Sequence, residues 1–175
     1  MKLNAVKRLL LLVAVGVLSI VGAGLIRNQV RAAQFADKSG HGFNALADEA
    51  LAAMKKRAGE LKIGGVAVVA YFEGDVVKAW SSKMVVVGKR KDEPSTGNNG
   101  ANLVGIAYTK AAEMADTLKD SGSGVRPPMT GEYGWQGGVI AKTKNGWAIA
   151  AFSGGKSEDD VETSKAGLAV LKAVQ

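Results

Sequence analysis

Residues 137–155 read GGVIAKTKNGWAIAAFSGG, two apolar runs on either side of a Lys-Asn-Gly turn. Asn145-Gly146 between such runs predicts a β-hairpin, because a type I′ turn needs positive φ at both central positions and Asn and Gly reach it most easily. Strands are expected over residues 137–143 and 147–153. Gly154-Gly155 then turn the chain into a helix. Ser157 and Asp160 have the spacing of a capping box, Glu158 and Asp159 suit the positive helix pole, and Val161, Leu168 and Leu171 form an apolar stripe.

Working back from this hairpin, a second helix is expected over residues 102–118. Leu103, Ile106, Ala107, Ala111, Met114, Ala115 and Leu118 share one side, and the small residues allow close approach to a sheet. Ser121-Gly122-Ser123-Gly124 ends it, and Pro127-Pro128 blocks its resumption. Further upstream, the β-branched run 66–71, the turn Glu73-Gly74-Asp75 and the run 76–81 predict another hairpin, with a possible third strand over residues 84–87. Residues 88–99 are polar and charged and read as a long exposed loop. Phe43, Leu46, Ala47, Ala50, Leu51, Met54, Ala58 and Leu61 recur at spacings of three and four, which predicts a first helix stopped by Gly64-Gly65. Lys55, Lys56 and Arg57 read as its solvated last turn, facing the negative helix pole. The order is that of an α+β fold: an antiparallel sheet of four to five strands with three helices packed on it.

The chain has 175 residues, 47% apolar and 22% charged, which suits one globular core. It has no cysteine, so disulfides, thiolate metal sites and thiol nucleophiles are excluded. The net charge of +7 is unevenly placed. Lys2, Lys7 and Arg8 precede 18 uncharged residues, 9–26, and Arg27 and Arg31 follow. A basic region before an apolar one marks a signal peptide, with Val21-Gly22-Ala23 or Val30-Arg31-Ala32 near the cleavage point. A retained anchor also fits, since 18 helical residues span roughly 27 Å. Gly16, Gly22 and Gly24 loosen the helix and favour cleavage. Residues 1–32 are thus a signal peptide or membrane anchor, 33–41 a polar linker and 42–175 the folded domain. Residues 33–175 hold 18 basic and 16 acidic side chains, so the basic excess belongs mostly to the leader. No basic stripe with interleaved aromatics occurs in the domain, which sets nucleic acid aside as a partner. A periplasmic or secreted location is expected, with possible attachment to the inner membrane through residues 9–26.

The run from Gly137-Gly138-Val139 through Gly146 to Ser153-Gly154-Gly155, the helix from Ser157 and the ending Ala166-Gly167-Leu168-Ala169-Val170-Leu171 resemble the C-terminal signature of the GlcG/HbpS family, also described as haem-degrading-domain proteins. Lys110-Ala111 stands where that family carries a Lys-Ala pair. The resemblance covers roughly residues 42–175. It implies a compact α+β domain that forms homo-oligomers and binds haem or a related tetrapyrrole.

His41 is the single histidine and the one imidazole available to a haem iron. It lies in Gly-flanked polar sequence, where an exposed residue with no ligand is the plainer reading. Tyr108, Tyr133 and Trp135 could stack on a flat ring, and Gly137 and Gly138 permit close approach of a ligand to backbone. For Trp135 the competing reading is a buried anchor of its loop. Lys110 enters through the family match, and Arg126 could present its planar fork to a carboxylate. A Ser-His-Asp triad would need His41, and no Gly-x-Ser-x-Gly elbow is present. The leading expectation is a non-catalytic, extracytoplasmic binding domain for haem or a related tetrapyrrole. The alternatives are a haem-degrading enzyme of low activity and a membrane-tethered accessory protein of a sensor or transport system.

Overall fold

The computed structural model describes residues 42–172. The expected leader with its apolar segment 9–26, the expected linker 33–41 and His41 lie outside them. Helix α1 covers residues 42–61. It is followed by β1 (Gly65–Glu73), β2 (Ser81–Val87), β3 (Lys91–Asp92), β4 (Ala101–Asn102), α2 (Leu103–Thr117), β5 (Gly138–Lys142), β6 (Gly146–Ser153) and α3 (Ser157–Leu171). The fold is α+β, as the alternation of apolar runs and amphipathic stretches predicts. Four strands form one antiparallel sheet in the order β2-β1-β6-β5, and β3 and β4 form a separate two-stranded ladder.

The period of two in the central strands decides which helix covers which face. Ala67, Val69, Tyr71, Ala148, Ala150 and Phe152 pack against α1 and α3, with Phe43, Met54 and Leu171 fully buried among them. Val66, Val68, Ala70, Phe72, Ile149 and Ala151 point to the other side, where α2 supplies Leu103, Ile106, Ala107, Ala111 and Met114. Each fully buried Phe (Phe43, Phe72, Phe152) contributes about 1.5–3 kcal/mol of hydrophobic stabilisation. Two helices cover one face and a single helix covers the other, so the flanks of α2 leave part of the sheet open. Trp80, Met84, Tyr108, Ile140 and Trp147 are only partly buried there.

Several local expectations are corrected. Residues 76–80 are not a strand: β2 starts at Ser81, paired with Tyr71, and runs through the segment expected as a third strand. Lys83 is compatible with the strand because its ammonium reaches across to Asp48 (2.9 Å) and the Asn44 carbonyl (3.2 Å) on α1. The 88–99 loop is not wholly irregular, since Lys91–Asp92 pairs with Ala101–Asn102. Helix α1 is stopped by Lys62 in the left-handed region (φ 56°) before the two glycines are reached, and α2 by Leu118 (φ 54°).

The hairpin lies where Asn145-Gly146 predicts it, but no positive φ occurs at Asn145 or Gly146. Thr143 N–H donates to Gly146 O (2.8 Å), which puts Lys144 and Asn145 at the centre of the turn. At α3 the N-cap is Lys156, without a side-chain cap, so Ser157 and Asp160 form no capping box. Asp160 is instead drawn inward to a buried lysine.

Among the described residues no helix is long and apolar enough to cross a membrane.

Candidate functional site

The connection from β1 to β2, residues 74–80, stands over one flank of α2 and encloses an open cleft of about 440 Å³. Its walls are Val76, Val77, Ala79 and Trp80 on the connection and Ala112 and Ala115 on the helix, with Asp75 and Asp116 as the polar lining. The helix side is recessed because two alanines occur where longer residues would fill the space. Tyr108, Ala112 and Asp116 follow one another at steps of four, one per turn, along this flank. Trp80 packs on Tyr108 with ring centroids 6.5 Å apart, a tilted contact that holds the base of the connection against α2.

Both lining carboxylates are held by protein donors. Asp75 Oδ1 accepts from Lys142 Nζ and from Trp147 Nε1 (2.9 Å), and Lys142 Nζ also sits 4.9 Å from the centroid of the Trp147 ring. Hydrogen bonds from Lys142 and then Trp147 hold the Asp75 carboxyl below its ordinary value. Asp116 Oδ2 accepts from Arg126 Nη2 (2.8 Å) and Nε (3.1 Å). Arg126 turns its other edge to Glu132, donating from Nη1 (2.6 Å) and Nη2 (2.8 Å). Those bonds raise the Arg126 pKa further and bring the Glu132 carboxyl down to about 2. The planar fork expected of Arg126 is present, and the carboxylates it grips are the protein's own.

The clamp shapes the segment that follows. Met129 N–H donates to Glu132 Oε2 (2.8 Å), and Gly134, at φ +63°, lies beneath Pro128. This holds Tyr133 and Trp135 side by side, ring centroids 4.7 Å apart. Both are about half exposed, at 52% and 51%, so Trp135 is not the buried anchor of its loop. Val125 and Met129 are exposed in the same segment.

Lys110, Gly137 and Gly138 come together elsewhere. Lys110 is buried and donates to Phe152 O (2.8 Å) and Asp160 Oδ2 (2.9 Å). Its ammonium occupies the place that a side chain on Gly137 would need. Gly138 lies against Met114 and donates its N–H to Ser121 Oγ (2.8 Å). The glycines thus admit protein atoms. Of the eight residues singled out from the sequence, His41 lies outside the described residues and the other seven fall in three places: Tyr108 beside the cleft, Arg126 with Tyr133 and Trp135 at the clamp and its loop, and Lys110 with Gly137 and Gly138 in the interior.

Trp80, Asp75 and Asp116 were not anticipated as site residues. Only Asp116 has a sequence signal, the step-of-four line Tyr108, Ala112, Asp116 on α2; nothing local marks Asp75 or Trp80, which reach the cleft through the assembled fold.

The cleft does not suit haem iron. Among the described residues there is no histidine and no group of three or more His, Asp or Glu able to hold a metal. Its polar lining is two carboxylates, of the same charge sign as haem propionates. No protein-family profile matches the chain, and no curated protein matches it.

Proposed function

We propose that this chain is a non-catalytic, extracytoplasmic small-molecule binding domain, and that the ligand lies in the cleft between residues 75–80 and α2. The cleft carries this reading: its volume of about 440 Å³ is in the range of ligand pockets, about 300–1,000 Å³, and it combines apolar walls with a few fixed polar groups. The leader of residues 1–32 supports the location. The resemblance to the GlcG/HbpS family supports a tetrapyrrole and a homo-oligomer. In this cleft a tetrapyrrole would be held through its ring face against Trp80, with the propionates turned out to solvent and iron playing no part.

Titration of the purified domain with haemin and with iron-free protoporphyrin tests this. Both are expected to give saturable spectral changes of similar affinity, unaffected by His41→Ala and weakened at least about tenfold by Ala112→Trp, which fills the cleft. No saturable change with either compound overturns the tetrapyrrole. Binding that needs iron and His41 overturns the placement in the cleft.

The exposed Val125, Met129, Tyr133 and Trp135 favour a second reading, an accessory protein tethered through residues 9–26 that contacts a membrane-bound sensor or transporter. A photo-crosslinker in place of Trp135 should then capture one membrane protein in intact cells. Recovery of only a soluble, processed monomer would count against it.

A further inference from the structure

We infer that the open edge of β2 is the docking site for a second copy of this chain, which lays its own β2 there in antiparallel pairing. The inference rests on the homo-oligomer in the proposed function and deepens it by naming the interface. Successive pairs in an antiparallel ladder alternate between exchanging hydrogen bonds and not doing so. Gly74 N–H donates to Asn145 O (3.0 Å) in line with the β1–β6 register, so the even-numbered residues of β1 bond β6 and the odd-numbered ones bond β2. Ser81, Lys83, Val85 and Val87 therefore turn their backbone groups inward, and Ser82, Met84 and Val86 turn theirs outward. No donor or acceptor meets those outward groups among the described residues.

The opposite edge of the sheet is closed. Ser121 N–H donates to Gly138 O (3.3 Å), Ser121 Oγ accepts from Gly138 N–H (2.8 Å) and Asp120 Oδ1 accepts from Ile140 N–H (3.0 Å). By contrast β2 lacks the features that keep an edge strand single. It is seven residues long, contains no proline, and pairs with β1 from Gly65↔Val87 to Tyr71↔Ser81 without a bulge. Its one charged side chain, Lys83, is turned onto Asp48 of α1, and Val86 is exposed.

The edge is also self-complementary. A two-fold axis at Met84 sets Met84 against Met84 of the second copy and Ser82 against Val86 of that copy, so every outward N–H and C=O finds a partner. Any other placement of the axis runs part of this row past the end of the strand. On the α1 face the same register sets Lys83 against Val85, and no like charges lie opposite one another. The two four-stranded sheets join into one continuous sheet.

Cysteine cross-linking and sedimentation of the full chain test this. The chain has no cysteine, so an introduced thiol is the only one present. Met84→Cys should give a disulfide-linked dimer under mild oxidation, because facing Cα atoms in a hydrogen-bonded pair are about 5.5 Å apart, within disulfide reach. Ser82→Cys and Val86→Cys should each fail to cross-link alone, since each position lies more than about 13 Å from its own copy, and should cross-link when combined in one chain. Met84→Pro removes an outward N–H while sparing the ladder to β1, and should weaken the dimer at least about tenfold; Met84→Leu should leave it unchanged. An oligomer without this cross-linking pattern overturns the β2 interface and leaves the homo-oligomer standing. A chain that stays monomeric up to about 1 mM overturns both.

Discussion

The Lys110 ammonium and the Asp160 carboxylate meet at 2.9 Å across fifty positions of sequence, with both side chains only 4% exposed. Lys110 belongs to α2 and Asp160 to α3, helices on opposite faces of the sheet, and the Phe152 carbonyl of β6 accepts from the same ammonium. Asp160 Oδ1 in turn accepts from Gly155 N–H (2.8 Å), so the pair also fixes the entry to α3. Burial pushes the Lys110 ammonium down from its usual pKa and the Asp160 carboxyl up, and their mutual attraction opposes both shifts. Each shift is against the charged form, so the ionised pair is held at neutral pH at a cost relative to an apolar pair.

Asp160→Asn should therefore destabilise the domain by about 3–5 kcal/mol, because it leaves the lysine charge buried and unpaired. The double variant Lys110→Met, Asp160→Leu should recover most of that loss. Urea unfolding of the wild type, both single variants and the double variant closes the cycle. A double variant as unstable as the sum of the singles would contradict the account.

Gly137→Ala should be similarly damaging for a different reason. Gly137 has φ +131°, where an L side chain is strained, and an added Cβ would meet the Lys110 ammonium, Asp160 Cβ at 2.9 Å and Phe152 O at 3.0 Å. Strain and overpacking together predict a loss of about 2 kcal/mol or more. Thermal unfolding measures it, and a loss below about 0.5 kcal/mol, the range of a neutral surface substitution, would show that the lysine has room to move aside.

These interior roles explain how legible the chain was. Strands β1 and β6 were readable because they are buried on both faces and bounded by turn residues. The start of β2 was obscured because its exposed edge tolerates Ser82 and Lys83, while Val76 and Val77, which look like strand residues, are 71% and 39% exposed in the connection over the cleft. Asp160 read as a capping residue because its partner lies fifty positions away, and no local pattern reports such a pair. The cleft was hidden for the same reason: Trp80 and Ala112 become neighbours only when β1, β2 and α2 assemble. Tyr108 and Arg126 were noticed by residue type, and only the assembled fold shows that Arg126 grips the cleft carboxylate Asp116.

The clamp predicts an acid response. Arg126 hydrogen bonds bring the Glu132 carboxyl down to about 2 from an ordinary value of 4.5. A carboxylate whose pKa is lowered on folding adds stability above its unfolded pKa and loses it as pH falls through the folded one. The loop of Tyr133 and Trp135 should therefore keep its structure from neutral pH to about 4.5 and loosen progressively between there and about 2. A carboxyl-carbon NMR titration of Glu132 follows this directly. Arg126→Lys, which cannot present two parallel N–H groups, should raise the Glu132 midpoint towards the ordinary carboxylate range. An unchanged midpoint would show that the fork is not the cause.

The β5–β6 turn separates two explanations of one glycine. A type I′ turn centred on Asn145-Gly146 would need Gly146 for positive φ and Asn145 for its tolerance of that region. In the structure neither has positive φ. Gly146 instead lies across β1, paired with Glu73, where an added Cβ would meet the Phe72 carbonyl oxygen and stand 2.8 Å from Glu73 Cα. Because those contacts are backbone in a central strand, they cannot shift as a flexible side chain would. Gly146→Ala should thus destabilise by about 1–3 kcal/mol through overpacking. Asn145→Ala, on an exposed turn residue, should stay within about 0.5 kcal/mol of the wild type. Denaturant midpoints of the two variants decide the matter, since a turn with positive φ at both positions would make the Asn145 substitution costly as well.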